Sequence, residues 1–273
     1  MTIKLRWQAR LLCAAVLASA AVTAASAAGT FGVPSPGGRA APAKRFTVGV
    51  ENLQYYPLHT VDGANRYRGF ARDVLDAFAS QHGYAFEYVP LPINRLYTRF
   101  LRERTLDFKY PDHPKWREDL RHGLKLSYSN VVVSTEEGAM VLPRHRGRPL
   151  SEVRSMGTVL GFTPWPYRQA IDSKAIAIST SNSFDGLLRH ALADHIDVVY
   201  MNVDVANYLL AEELKAPGGL IFDPALPHAR SDFRLSTLQH PEVVEQFSQF
   251  LQREQGLVQK LRQKYRIGEA ARP

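Results

Sequence analysis

Four short stretches of this 273-residue sequence mix polar and aromatic side chains, and each directly follows a predicted strand. Glu51 to Pro57 carries Glu51, Tyr55 and Tyr56. Tyr110 to Arg117 carries Trp116 and Arg117. Phe162 to Tyr167 carries Thr163, Trp165 and Tyr167, and Asn202 to Asp204 ends the set. In open α/β sheets, ligands sit in the crevice beyond the carboxyl ends of the strands. Aromatic walls with a few aimed hydrogen-bonding groups suit a small polar molecule. A guanidinium holds a carboxylate through two parallel hydrogen bonds, so Arg117, the arginine within these stretches, is a candidate anion clamp. Arg95, at the start of a predicted helix after Pro92, is the second, although Arg99 and Arg102 share its face. Glu51 can bind an amine. Free backbone N–H groups near Thr163 attract a carboxylate, while Pro164 and Pro166 remove two donors there. Asn202 can donate or accept a hydrogen bond but cannot neutralise a cation. Asp204 is either a ligand contact or the cap of the helix that follows.

Covalent and metal chemistry find little footing. The nine histidines are scattered, with no His-x-x-x-His pair on a helix, and neither a Gly-x-Ser-x-Gly elbow nor a phosphate-cradling glycine loop occurs. The single cysteine, Cys13, lies in the N-terminal apolar run. No cofactor or metal is expected.

The elements that must position these residues come in two sets. Phe46–Val50 predicts a buried strand, Gly69–His82 a helix with Phe70, Val74 and Phe78 on one face, and Phe86–Leu91 a strand. A helix with a stripe of Ile93, Leu96, Tyr97, Phe100 and Leu101 follows, then a strand at Leu106–Tyr110. The second set runs through strands at Gly157–Gly161, Ala175–Ile178 and Asp197–Met201. Its helices begin at Tyr167, Phe184 and Val203. Strands alternating with helices predict parallel α/β sheets. A strand at Phe233–Ser236 precedes a helical tail from Pro241, with Val243, Phe247, Phe250 and Leu251 on one stripe.

The N-terminus speaks to location. Lys4, Arg6 and Arg10 precede an apolar run from Leu11 to Val22, and Ala25-Ser26-Ala27 supplies the small residues that signal peptidase cuts after. The run is too short to span a bilayer. Residues 1–27 therefore read as a secretory signal and 28–44, rich in Gly, Pro, Ala and Ser, as a disordered linker. Cleavage removes Cys13 and leaves no disulfide, no thiol and no lipid anchor. The expected location is the periplasm. Losing Lys4, Arg6 and Arg10 lowers the formal charge of +8 by three. The remaining basic residues are spread out and interleaved with acids, which argues against a nucleic-acid surface.

In order and spacing the chain resembles the periplasmic solute-binding proteins of the polar amino-acid type, family 3. The resemblance rests on Val48-Gly-Val50 with Tyr56-Pro57, Tyr67-Arg-Gly-Phe70 with Asp73-Val-Leu75, and Pro92-Ile-Asn-Arg95. It continues through Leu106-Asp107, Ser127-Tyr128-Ser129, Gly157 to Thr163, Ile196-Asp-Val-Val199, and Gln255-Gly256 to Tyr265. It implies the two-lobed periplasmic binding protein fold (type II), with two hinge crossings and a ligand cleft between the lobes. Residues 45–133 and 234–273 are expected in one lobe and 134–233 in the other. The resemblance also implies a ligand ring-stack at Tyr55 or Tyr56, a carboxylate clamp near Arg117, and delivery of the ligand to an ABC-type permease by a monomer. In that family the position of Asn202 usually holds an aspartate that pairs with an α-ammonium group. Two other functions share the scaffold: a cyclohexadienyl dehydratase, with Glu51 as acid and Arg117 as anchor, and a sensor for a membrane receptor.

Overall fold

The computed structural model describes residues 44–268; the expected signal, nearly all of the expected linker and the last five residues lie outside them. The chain opens with β1 (Lys44–Glu51), whose alternate apolar residues Phe46, Val48 and Val50 are buried. A short hairpin, β2 (Thr60–Val61) and β3 (Tyr67–Arg68), leads into α1 (Phe70–Gln81). Phe70, Val74 and Phe78 recur once per turn and face inward. β4 (Tyr84–Leu91) pairs parallel with β1 along its full length. α2 (Ile93–Tyr97) runs on into a π-helical stretch, Thr98–Arg102, before β5 (Phe108–Asp112), which pairs with β1 on its other side.

The remaining strands are β6 (Ser127–Tyr128), β7 (Val133–Val141), β8 (Ser155–Val159), β9 (Ala177–Ser181), β10 (Val198–Asn202), β11 (Ile221–Phe222) and β12 (Ala229–Thr237). Their helices are α3 (Arg168–Asp172), α4 (Phe184–Leu192) and α5 (Val203–Tyr208), the last continued by π-helical turns at Leu209–Glu213. The sheet runs β4-β1-β5-β12-β7-β10-β8-β9. It is one path with two halves. The first part of β12 pairs with β7, Ala229 to Phe233 against Glu137 to Val133, and its end pairs with β5 and β6. β7 continues past the ribbon to pair with β10 and β11. Among the described residues, the two long antiparallel strands are thus the sheet pairing that joins the halves along this path.

Both strands run longer than the sequence suggests. β7 has no counterpart among the predicted strands, and β12 begins four residues before the expected Phe233. Ser134, Glu136, Glu137 and Gly138 break up the apolar run of β7 and hide it. The predicted loop from Glu51 to Asp62 contains β2, which is too short to carry a periodic signal.

The C-terminal helices α6 (Pro241–Arg253) and α7 (Gln255–Lys264) return to the first half. Phe78 lies 4.9 Å from Phe247 and 5.6 Å from Phe250, ring to ring. The Tyr84 hydroxyl donates to Gln246 at 2.7 Å, and Lys264 Nζ meets Asp73 at 2.7 Å. Among the described residues, no helix is long and apolar enough to cross a membrane.

Candidate functional site

The carboxyl ends of β1 and β10, the hinge strand β7 and the turn after β8 converge on one place. Glu51 ends β1 and is 3% exposed; Glu137 lies on β7 and is 4% exposed. Together with Ile93 and Tyr97 of α2, Trp116, and the turn Gly161-Phe162-Thr163, they line a cavity of about 20 Å³. That is space for about one water molecule. Tyr97, Gly161 and Phe162 also line an open groove of about 500 Å³ that contains Asn94, Arg102 and Arg117. The arrangement is therefore a tight acidic chamber behind a wider basic mouth. A molecule of amino-acid size enters the chamber only if its walls part.

Those walls come from both halves of the sheet. Gly161, at φ +95°, packs so tightly on α2 that a Cβ there would lie 2.8 Å from the Ile93 side chain. Tyr55 lies against Phe162 and Phe184 at 5.7 Å each. Lys115 Nζ sits 4.4 Å from the Trp165 ring centre, and Arg168 reaches Glu118 at 3.7 Å.

The chamber is electrostatically unusual. Burial pushes the Glu137 carboxyl up to about 7, and the nearby charge of Glu51 adds to this. Among the described residues, the basic group in ion-pair reach of Glu51 is His59, 3.6 Å away and itself fully buried. Asn202 lies directly opposite Glu137 on the neighbouring strand, so the two side chains share a face. Asn202 Oδ1 caps α5 by accepting from the Val205 N–H at 3.1 Å, while its Nδ2, like the Tyr55 hydroxyl, is buried without a hydrogen-bond partner. Burial holds the Tyr55 hydroxyl well above its ordinary range, followed by the charges of Glu137 and Glu51.

Beneath Tyr97 and Trp116 lies a buried ionic network. Arg121 donates to Asp112 at 2.6 and 3.2 Å, to the Trp116 carbonyl at 2.7 Å and to the Tyr128 hydroxyl at 2.6 Å. Lys109, fully buried, reaches Asp112 at 3.2 Å, and the Ser236 hydroxyl donates to it at 2.6 Å. Burial alone would raise the Asp112 carboxyl, but Lys109, Arg121 and these hydrogen bonds outweigh it and hold it below the ordinary range. The network fixes the segment that carries Trp116 and Arg117.

The residues singled out from sequence separate into groups. Glu51, Trp116 and Thr163 line the chamber, and Arg117 lines its mouth. Arg117 adopts left-handed backbone geometry, at φ 48°, donates to Asp119 at 3.2 Å and to Asn94 Oδ1 at 2.9 Å. Arg95 points outward from α2 and lies in neither space. Tyr55 is buried behind Phe162, whereas Tyr56 packs on Tyr208 and Tyr265 elsewhere. Tyr167 is buried against Tyr200. Asp204 accepts from the Gly268 N–H at 3.0 Å, next to Tyr56 and Tyr208 rather than in the chamber. Sequence reasoning passed over Glu137, Tyr97, Lys109, Asp112 and Arg121. A usable signal existed for Glu137: a glutamate amid Val133, Ala139, Met140 and Val141 is an acid in an apolar strand, which is rarely buried without a purpose.

No family model matches the sequence, and no curated protein matches it. Solved structures do. An ancestral arginine-binding protein bound to arginine superposes with a TM-score of 0.65 at 13% identity, over 82% of this chain and 99% of that one. An ABC uptake transporter substrate-binding protein from Streptococcus pneumoniae with bound histidine gives 0.64 at 19% identity, over 81% and 92%. An ancestral amino acid-binding protein, a precursor of cyclohexadienyl dehydratase, gives 0.62 at 18% identity, over 81% and 95%. The chain has the two-lobed α/β fold of the periplasmic binding proteins.

Proposed function

We propose that this protein is an exported receptor that captures a small, polar, amino-acid-like solute between its lobes for delivery to an ABC-type permease. The carrying observation is the closed chamber at the joint of the two sheet halves, lined from both sides. The β7–β12 ribbon supports a division in which 45–133 and 234–273 form one lobe and 134–233 the other. The ligand's polar ends are taken up by Glu51 and Glu137 inside and by Arg117 at the mouth. Thr163 closes from the second lobe, with Tyr97, Trp116 and Phe162 as walls. Export rests on the signal-like residues 1–27. The experiment is a thermal-shift screen of amino acids, amines and small organic acids. A ligand at 100 times its Kd stabilises the folded protein by about 2.7 kcal/mol, a readily measured rise in Tm. A flat screen contradicts the reading.

A second reading has one observation in its favour. A buried carboxyl that titrates near neutrality, as Glu137 does, is poised to act as a general acid. An exported dehydratase on this scaffold would use it to protonate a departing hydroxyl. Loss of water from a cyclohexadienyl substrate, followed by absorbance, separates this from binding without turnover.

A further inference from the structure

We propose that the solute carries an ammonium or guanidinium head, which enters between Glu51 and Glu137 in exchange for a proton that the empty pair retains. The inference rests on the binding reading above and specifies the chemical class of the ligand. Two carboxylates that share a dry chamber cannot both ionise without a compensating positive charge. The structure offers that charge only in part. His59 lies 3.6 Å from Glu51, and the buried Lys109 acts on Glu51 from a distance but is bonded to Asp112. Glu137 has no basic partner among the described residues. The groups that face it are acidic or neutral: Glu51 from β1, Glu136 from its own strand, Tyr55 from the loop after β1, Tyr200 and Asn202 from β10, and Ser231 from β12, which draws the carboxyl down without cancelling the effect of burial.

Two independent observations point to a ligand rather than to an idle acidic pair. The Tyr55 hydroxyl, 1% exposed, lies within electrostatic reach of both glutamates and near the Asn202 backbone, with no side-chain hydrogen-bond partner. Asn202 Nδ2, fully buried and opposite Glu137, has none either. Buried polar groups without partners are uncommon and call for an occupant. Tyr97, Trp116 and Phe162 wall the same chamber, and aromatic faces attract cations. Among the described residues, no cluster of three metal-ligating side chains occurs, so the donor set suits an organic cation.

The exchange balances simply. The free protein holds a proton on the pair, the cation displaces it, and the proton leaves to solvent. Because burial raises Glu137 to about 7, the exchange falls in an accessible pH range.

Calorimetry with L-arginine, L-lysine and putrescine as cationic probes, and glutarate and succinate as anions without an amine, tests this. Runs at pH 6 in buffers of different ionisation enthalpy count the protons. The expected result is binding of at least one cationic probe, with close to one proton released at pH 6 and almost none at pH 8.5. Affinity should fall roughly tenfold for each pH unit below 6. Glu137→Gln should abolish the proton release and weaken cation binding at pH 8.5 by at least tenfold. Glu152→Gln, an exposed carboxylate that lines neither the chamber nor its mouth, should change neither. Wild-type proton counting keeps the test decisive if Glu137→Gln does not fold. Binding of only glutarate or succinate overturns the inference and leaves the receptor reading standing. Cation binding without proton release overturns it too, and no binding by any probe or by the wider screen overturns both.

Discussion

Glu137 ties stability to pH in the sense opposite to most native carboxylates. Its carboxyl ordinarily titrates at 4.5 and in the fold at about 7, so between these values the folded protein binds more protons than the unfolded chain. Stability must then fall as pH rises through that window, by about 3 kcal/mol for a shift of this size. His113, held low by burial, acts in the opposite direction over part of the same range, so the wild type has to be compared with Glu137→Gln. The difference in unfolding free energy between the two should shrink from pH 5 to pH 8 by that amount, as read by urea titration. The arginines divide in the same way by burial. Arg121→Ala strips a buried Asp112 of its main partner and should cost about 3–5 kcal/mol. Arg117→Ala breaks a surface pair with Asp119 and should cost no more than about 1 kcal/mol, while weakening any ligand whose anion reaches the mouth. Residue types that bind ligands were legible where they followed predicted strands, as with Glu51, Trp116 and Thr163. Arg121 was not, because nothing in the sequence marks which of the two arginines in Arg117–Arg121 is buried.

The turn after β8 and helix α2 decide whether the chamber can close. Gly161 sits at φ +95°, and a Cβ there would lie 2.8 Å from the Ile93 side chain and 3.1 Å from Asn94 Oδ1, closer than contact allows. Gly161→Ala therefore meets both backbone strain and a cross-cleft clash, and relief comes by keeping the walls apart. The expected outcome is weaker ligand binding, by at least tenfold in calorimetry, with a Tm lowered by only a few degrees. A loss of Tm as large as that of Arg121→Ala would show that the turn acts in folding and not in closure. At this scale the helices were the easiest to read, since α1 and α6 show their buried stripes at regular spacing. The ribbon strands were the hardest. β7 mixes Glu136, Glu137 and Gly138 with apolar residues because it serves as hinge and as chamber wall at once, and a strand with two duties loses its period.

For the molecule as a whole, the β7–β12 ribbon joins two halves that each have buried apolar residues on their own strands and helices. The C-terminal helices anchor to α1 and β4 through Lys264–Asp73 and Tyr84–Gln246, so their removal should unfold the first half. The order of strands and helices along the chain foretold this α/β plan, whereas the path of the sheet across the ribbon depends on pairings that no local pattern announces. Release by osmotic shock of a chain that starts near Ala28 is expected from residues 1–27, and N-terminal sequencing checks it. The central claim is that the two halves close on a small solute. Because Cys13 is the sole cysteine and lies within the expected signal, spin labels at Glu103→Cys and Asp172→Cys, on exposed positions of the two halves, can be placed cleanly. Pulsed electron resonance should give a longer or broader distance without ligand, and a single shorter one when a solute found by the screen is added. An identical distribution with and without a saturating, calorimetrically verified ligand would contradict the account.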